Sequence, residues 1–108
     1  MIRGLCLALG PVLAAGAAWG DVSVVEYTCD RGAVLSVAYV TGGEDDLAIM
    51  PVEGQLVALE RAQSGSGVLY SQVGREDGYI WFAKGDEALL GHGGVEGTTI
   101  LPGCRAAE

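Results

Sequence analysis

From residue 22 onwards the chain alternates apolar and polar residues in short runs, and glycine-rich turns separate these runs. A period of two is typical of half-buried β-strands. No segment combines an apolar stripe of helical period with capping residues at its ends. The pattern predicts up to eight strands, at residues 22–29, 33–40, 47–52, 55–61, 68–73, 79–84, 87–90 and 98–101.

Short strands joined by close turns are typical of an antiparallel β-sandwich or a β-barrel. A barrel is favoured for a chain of this size, because closure removes exposed strand edges. The chain carries no internal repeat and no linker composition. We therefore predict an all-β fold, in which residues 21–108 form one small antiparallel eight-stranded β-barrel.

Residues 1–20 differ from the rest and have the layout of a secretory signal peptide. Arg3 supplies a positive start, an apolar stretch follows, and small residues precede a cleavage point at Asp21. The apolar stretch is shorter than the ~20 residues that a transmembrane span needs. Cys6 lacks the preceding small residues of a lipoprotein signal. The segment is thus predicted to export a soluble periplasmic domain with no stable membrane anchor.

The chain of 108 residues is acidic, since 6 basic residues against 14 acidic ones give a formal charge of −8. Without residues 1–20 the count is 5 against 14, so the remaining domain carries −9. Nucleic-acid-binding proteins need a basic face for phosphates. The composition therefore argues against nucleic acid and against an anionic membrane surface as partners, and it favours a cationic partner.

Two cysteines follow the signal segment, Cys29 near its beginning and Cys104 near the end of the chain. In an exported chain of this size a pair of cysteines is most simply a disulfide. A metal site is the competing interpretation, but two distant cysteines and a single histidine do not fill a tetrahedral shell. The disulfide is therefore favoured, and no metal or other cofactor is predicted.

The sequence offers no set of residues suited to catalysis. His92 is the single histidine and lies among glycines, where a solvated turn residue is the simpler interpretation. These glycines do not form a phosphate-binding fingerprint ahead of a helix. The acidic residues 44–46 lack the alternating ligands of a calcium loop. A small envelope enzyme is thus disfavoured, and the chain is predicted not to be an enzyme.

Two segments stand apart from this plain pattern. Residues 64–70 read SGSGVLY, and residues 79–88 read YIWFAKGDEA, with Lys84 as the single lysine of the chain. Serine–glycine repeats form flexible loops, and a lysine at a hairpin end stays in water and discourages aggregation. From spacing alone these plain structural roles are favoured.

The order of motifs nevertheless resembles the family of lysozyme inhibitors that contains membrane-bound and periplasmic inhibitors of c-type lysozyme. The resemblance covers nearly all of the domain, and its most specific parts are the Ser-Gly-x-x-Tyr and Lys-Gly-Asp-Glu-Ala segments. It implies an eight-stranded antiparallel barrel and a disulfide between the two cysteines. The matching residues are Tyr27, Cys29, Val37, Tyr39, Ser64, Ser66, Gly67, Tyr70, Trp81, Lys84, Gly85, Asp86, Glu87, Ala88 and Cys104.

The resemblance also implies a function and its residues. In this family a serine and a lysine enter the lysozyme cleft and meet its two catalytic carboxyl groups, and the matching residues are Ser66 and Lys84. An ammonium pairs with a carboxylate by charge-assisted hydrogen bonds, and a hydroxyl both donates and accepts. Gly67 and Gly85 would keep the two loops narrow. Tyr70 would hold them from the barrel wall, with partner contact as a secondary role.

The chain departs from the family in two respects. Residues 74–78 form a longer turn than the usual connection between the two motifs, and we expect it to lie beside the cleft or to tilt the lysine hairpin. Many family members have an asparagine near the end of the second strand, whereas this chain has no asparagine.

The alternative function is a non-enzymatic periplasmic module that binds another cationic partner or an envelope component. The sequence leaves open whether the protein is a monomer or a dimer.

Overall fold

The computed structural model describes residues 20–62 and 65–107, so nearly all of the predicted signal segment lies outside the described residues. The described residues contain one 3₁₀ turn, at Asp30–Gly32, and none of their helices is long and apolar enough to cross a membrane. The predicted all-β fold is confirmed. The strands are β1 (Asp21–Thr28), β2 (Val34–Thr41), β3 (Leu47–Val52), β4 (Gln55–Ala62), β5 (Val68–Gln72), β6 (Tyr79–Lys84), β7 (Glu87–His92) and β8 (Thr98–Ala106).

The eight strands form a closed barrel, in which each strand pairs antiparallel with the next. β8 pairs back with β1 through only two residue pairs, Tyr27 with Ala106 and Thr28 with Arg105. The prediction of a barrel over a sandwich is thereby confirmed. Because successive strands run in opposite directions, the connections alternate between the two ends of the barrel. This alternation places the β4–β5 and β6–β7 connections at the same end of the strands that they join.

The last strand is longer than predicted. The predicted strand ends at residue 101, directly before Pro102, which cannot donate a hydrogen bond to a strand ladder. In the structure β8 continues to Ala106, and its pairing with β7 shifts between Leu90–Leu101 and Ala88–Cys104. This bulge contains Pro102 and lies where the regular ladder is already interrupted, so the proline is tolerated there.

The interior of the barrel is filled by inward-facing apolar side chains, as the alternation predicts. Trp81 is fully buried at 0% exposure, and its indole Nε1 donates to the Tyr39 hydroxyl at 2.8 Å. The same hydroxyl lies 2.7 Å from the Tyr27 hydroxyl. The Tyr27 ring packs edge-on against Trp81, with 5.0 Å between the ring centroids. Every polar tip of this aromatic group therefore has a partner inside the barrel.

The predicted disulfide between Cys29 and Cys104 is confirmed, and both residues are buried. Cys29 follows β1 directly, and Cys104 lies within β8. The bond therefore joins the two strands that share only two residue pairs. It reinforces the seam where the barrel closes.

The buried tyrosines predict an alkaline limit to stability. Burial, together with the Tyr27 hydrogen bond, raises the pKa of the Tyr39 hydroxyl, and burial raises the pKa of Tyr70. The folded protein then holds these protons more tightly than the unfolded chain does. The stabilisation from these two tyrosines is fully present below the unfolded pKa of about 10. As the pH rises beyond that value the unfolded chain ionises first, and the free energy of unfolding falls.

Replacing Tyr39 by phenylalanine tests this point. At neutral pH we expect a loss of about 1–2 kcal/mol in the free energy of unfolding, because the Trp81 indole loses its acceptor. Between pH ~9 and ~11 the variant should lose stability less steeply than the wild type. Urea unfolding at a series of pH values measures both effects, and equal slopes for the two proteins would contradict the assignment.

Candidate functional site

The structure brings the two predicted site residues to the same end of the barrel. Ser66 lies in the β4–β5 connection and Lys84 at the end of β6, and both residues are exposed. β5 pairs with β6 through Val68 and Ala83, so the pairing places the residues just before β5 alongside Lys84. We call residues 65–67 and 84–86 the Ser66–Lys84 tip.

Gly67 fixes the position of the serine loop against β6. Its φ is +70°, a conformation that favours glycine. A Cβ atom on this residue would lie 2.8 Å from the Ala83 carbonyl oxygen and 2.8 Å from Cζ of Phe82. The loop therefore packs directly on β6, one residue before Lys84, and only glycine allows this approach.

The lysine lies on a tight turn between β6 and β7. Lys84 pairs with Glu87, so only Gly85 and Asp86 form the turn. Gly85 has a φ of +63° and Asp86 does not have a positive φ, which is the pattern of a type II′ hairpin turn. The Asp86 carbonyl accepts a hydrogen bond from the Ala106 amide at 2.8 Å, which ties the turn to β8.

The two glycines predict different costs of substitution. Gly67→Ala meets both a left-handed backbone and a close contact with β6, and we expect it to lose at least ~2 kcal/mol of folding free energy. Gly85→Ala has no atom within 4 Å of the new methyl group and bears the backbone cost alone, about 1 kcal/mol. Urea unfolding of the two variants measures the difference. A smaller loss for Gly67→Ala than for Gly85→Ala would contradict the close packing of the loop.

The acidic side chain across from Lys84 is paired with a different cation. Glu87, its cross-strand neighbour, is paired instead with Arg105 at 3.2 Å. At the same barrel end Arg61 is paired with Asp46 at 3.3 Å. Within residues 20–62 and 65–107, Lys84 itself forms no ion pair. Its ammonium group is therefore available to a carboxylate supplied by another molecule.

Tyr70 lies beneath the tip rather than on its surface. It is 6% exposed, pairs with Trp81 across β5 and β6, and lies 5.8 Å from the Tyr39 ring. This burial suits the predicted role of holding the loops from the barrel wall. A direct contact between Tyr70 and a partner stays a prediction.

The long turn at residues 74–78 lies at the opposite end of the barrel, because it joins β5 to β6 on the far side from Lys84. The six residues of β6 separate the two, roughly 17 Å at 3.3 Å per residue. The turn is therefore not beside the lysine hairpin, and the expectation that it lies beside the cleft or tilts the hairpin stays a prediction. Its Arg75 is a cation remote from the Ser66–Lys84 tip.

The far end also contains a contact that the sequence pattern did not indicate. The Tyr79 hydroxyl donates to the Glu53 carboxylate, which raises the pKa of Tyr79, and His92 contacts the Tyr79 ring edge-on at 4.7 Å. His92 thus ends β7 and packs on a neighbouring strand.

Among the described residues no three His, Cys, Asp or Glu side chains are grouped so as to hold a metal ion.

Fold and site together define a small β-barrel binding protein, whose filled interior supports exposed polar side chains on narrow loops at one end. Residues 27–99 match the family model described as membrane-bound lysozyme-inhibitor of c-type lysozyme. That segment is more than half of the chain and contains both Ser66 and Lys84, so the chain belongs to this family. Its members are inhibitors of lysozyme and not enzymes.

Two relatives share the name membrane-bound lysozyme inhibitor of C-type lysozyme. The protein from Pseudomonas aeruginosa is 36% identical over 71 residues, which cover 65% of this chain and 53% of that protein. The protein from Cupriavidus necator is 36% identical over 75 residues, which cover 69% of this chain and 57% of that protein. The chain therefore spans little more than half the length of these relatives.

Two solved structures share the fold. The periplasmic lysozyme inhibitor of C-type lysozyme from Salmonella typhimurium superposes with a TM-score of 0.73 at 25% identity, over 82% of this chain and 100% of that one. The Pseudomonas aeruginosa inhibitor in complex with hen egg white lysozyme gives a TM-score of 0.64 at 28% identity, over 99% of this chain and 97% of that one. The barrel is thus shared with both the periplasmic and the membrane-bound type.

Proposed function

We propose that this domain inhibits c-type lysozyme by placing Ser66 and Lys84 in the active-site cleft of the enzyme. The observation that carries the proposal is the exposed ammonium group of Lys84, which among the described residues has no ion pair. Lys84 lies at a barrel end beside Ser66. The Pseudomonas aeruginosa relative in complex with hen egg white lysozyme supports the choice of partner.

The chemistry of the cleft suits these two side chains. A c-type lysozyme uses a glutamic acid and an aspartate that flank the scissile bond, one protonated and the other ionised. The ammonium of Lys84 would pair with the ionised carboxylate, and this pairing is stronger in a partly desolvated cleft than in water. The Ser66 hydroxyl would serve the protonated carboxyl, because it both donates and accepts hydrogen bonds.

The shape of the tip suits insertion into a cleft. Gly85 and Asp86 alone connect β6 to β7, so the hairpin at Lys84 is about as wide as two neighbouring strands, roughly 5 Å from backbone to backbone. The serine loop packs on β6 through Gly67 and adds little width. A narrow and braced projection would enter a groove with a small loss of conformational entropy.

The surrounding charge supports association with a basic enzyme. The chain has a formal charge of −8, and complementary charge raises the rate of encounter more than it raises final affinity. Lys84 has the opposite sign to this background. We propose that the acidic body steers the protein to the enzyme, while the lysine binds the acidic centre of the cleft.

We further propose that residues 1–20 export the domain to the periplasm, where residues 21–108 act without a membrane anchor. The Salmonella typhimurium relative is a periplasmic inhibitor, which supports this location. The relatives named as membrane-bound define the alternative, an anchored form. Fractionation of cells that express the full chain separates a free periplasmic product from a membrane-attached one.

An inhibition panel tests the function. The purified protein is titrated into c-, g- and i-type lysozymes that are lysing bacterial cell walls. We expect the c-type enzyme to lose its activity near an equimolar ratio, with no comparable loss for the other two classes. Unchanged lysis by the c-type enzyme at a large molar excess would contradict the proposal. Salt-sensitive binding that is independent of Ser66 and Lys84 would instead favour a module for another cationic partner.

A further inference from the structure

An apolar row crosses the outer surface of the barrel next to the Ser66–Lys84 tip. Leu69 pairs with Phe82, and Phe82 pairs with Leu89, across strands β5, β6 and β7. Their sequence neighbours Trp81 and Leu90 point into the core, so the three side chains point outward. All three are only half-buried. We call Leu69, Phe82 and Leu89 the outer apolar row.

Residues of the row line two adjoining grooves. One has a volume of about 480 Å³, contains all three residues of the row and is bordered by Gly65. The other has a volume of about 270 Å³, shares Phe82 and Leu89 with the first, and is bordered by Lys84. Both components of the Ser66–Lys84 tip therefore adjoin the same apolar surface.

Strand geometry places Lys84 on the face that carries the row. Successive residues of a strand alternate between its two faces, so residues 82 and 84 of β6 share the outer one. A partner that takes up the lysine side chain would therefore approach over Phe82 and Leu89. The opposite flank of the hairpin faces the core through Trp81.

The size of a stable interface requires more surface than the tip offers. Specific protein complexes bury about 800 Å² on each partner, contributed by about 20–30 residues a side. The tip consists of six residues, at positions 65–67 and 84–86. A complex at this end must therefore extend onto a neighbouring face, and the outer apolar row is the face that Lys84 and Gly65 both border.

We propose that the outer apolar row is a second contact for lysozyme, which packs against the wall of the active-site cleft while the tip occupies the cleft. This inference rests on the proposed function and extends it. Ligand clefts are lined mainly by hydrophobic and aromatic side chains, which complement such a row. The core of an interface is also more apolar than its rim, and contacts that become fully desolvated there contribute more to affinity than contacts at the rim.

Leu89→Ser tests the inference, and Leu56→Ser is its matched control. Leu89 lies in the row, whereas Leu56 is 76% exposed on β4, at the opposite end of the barrel from the tip. Phe82 is unsuitable for substitution, because Gly67 packs on its ring. We expect Leu89→Ser to weaken lysozyme binding in calorimetry about tenfold, and Leu56→Ser to leave it within twofold. Thermal unfolding and light scattering on each variant establish that it is folded and define its oligomeric state.

The outcomes separate this inference from the proposed function. If the wild type binds lysozyme and Lys84→Ala weakens it while Leu89→Ser does not, the row is not a contact and the function stands. If Leu89→Ser instead dissociates a dimer of this chain without changing lysozyme affinity, the row belongs to a second copy and the inference is overturned. Absence of lysozyme binding by the folded wild type overturns both.

Discussion

Replacement of Lys84 by alanine is expected to weaken inhibition of c-type lysozyme by about 100-fold. Truncation of one partner of a buried, hydrogen-bonded charge pair costs 2–5 kcal/mol or more, and about 1.4 kcal/mol corresponds to each factor of ten. Much of this loss arises because the carboxylate of the enzyme stays desolvated without its counter-charge. Fold stability should change little, since Lys84 is exposed and forms no ion pair within the described part of the chain. The inhibition constant in a cell-wall lysis assay measures the effect.

Arg75→Ala is the matched control for this substitution. It also removes one positive charge, but its turn lies at the far end of the barrel. Because it changes the net charge equally, any effect on long-range steering should be the same in both variants. We expect Arg75→Ala to leave inhibition within about threefold of the wild type. Equal losses from the two variants would mean that diffuse charge, and not insertion of Lys84, determines inhibition.

Removal of the disulfide is expected to have the largest effect on stability. Loss of a native disulfide from a small secreted domain costs about 2–5 kcal/mol, and the loop-entropy model gives about 4.5 kcal/mol for a sequence separation of 75 residues. Here the bond also joins β1 and β8, which share only two residue pairs. A change of 1 kcal/mol shifts the unfolding midpoint of a domain this size by about 4–8 °C. The paired substitution of Cys29 and Cys104 by serine should thus lower it by about 18–36 °C, from the loop-entropy figure.

Calorimetry of the oxidised wild type and the double variant measures this shift. The reduced wild type is the control for the chemistry of the substitution, and it should unfold near the variant. A variant that unfolds within a few degrees of the oxidised protein would show that pairing between β1 and β8, together with the core, closes the barrel without the bond.

The strands were predictable because their signals are local. The aromatic and β-prone residues of β6, together with the glycine in the turn after it, define the same hairpin in sequence and in structure. The end of β8 was not predictable, because Pro102 normally stops a strand and the bulge that accommodates it depends on pairing with β7. A local pattern does not contain the register of a distant strand.

The site was predictable in part. Its serine and lysine were identified from motif spacing and family resemblance, and strand pairing then brought them to the same barrel end. The outer apolar row was not identified, because the continuous apolar run at 79–83 hides which residues face outward. The position of the 74–78 turn follows from the alternation of connections in an antiparallel barrel. Counting strands therefore gives information that motif spacing alone does not.

The most direct test of the account is a double-mutant cycle across the complex. Wild type and Lys84→Ala are each measured by calorimetry against a c-type lysozyme and against the same enzyme with its catalytic aspartate replaced by asparagine. If the lysine binds that carboxylate, the two changes should be coupled by at least ~1.5 kcal/mol, so that either change alone causes most of the loss. Additive losses with a coupling energy near zero would contradict insertion of Lys84 at the catalytic carboxylates.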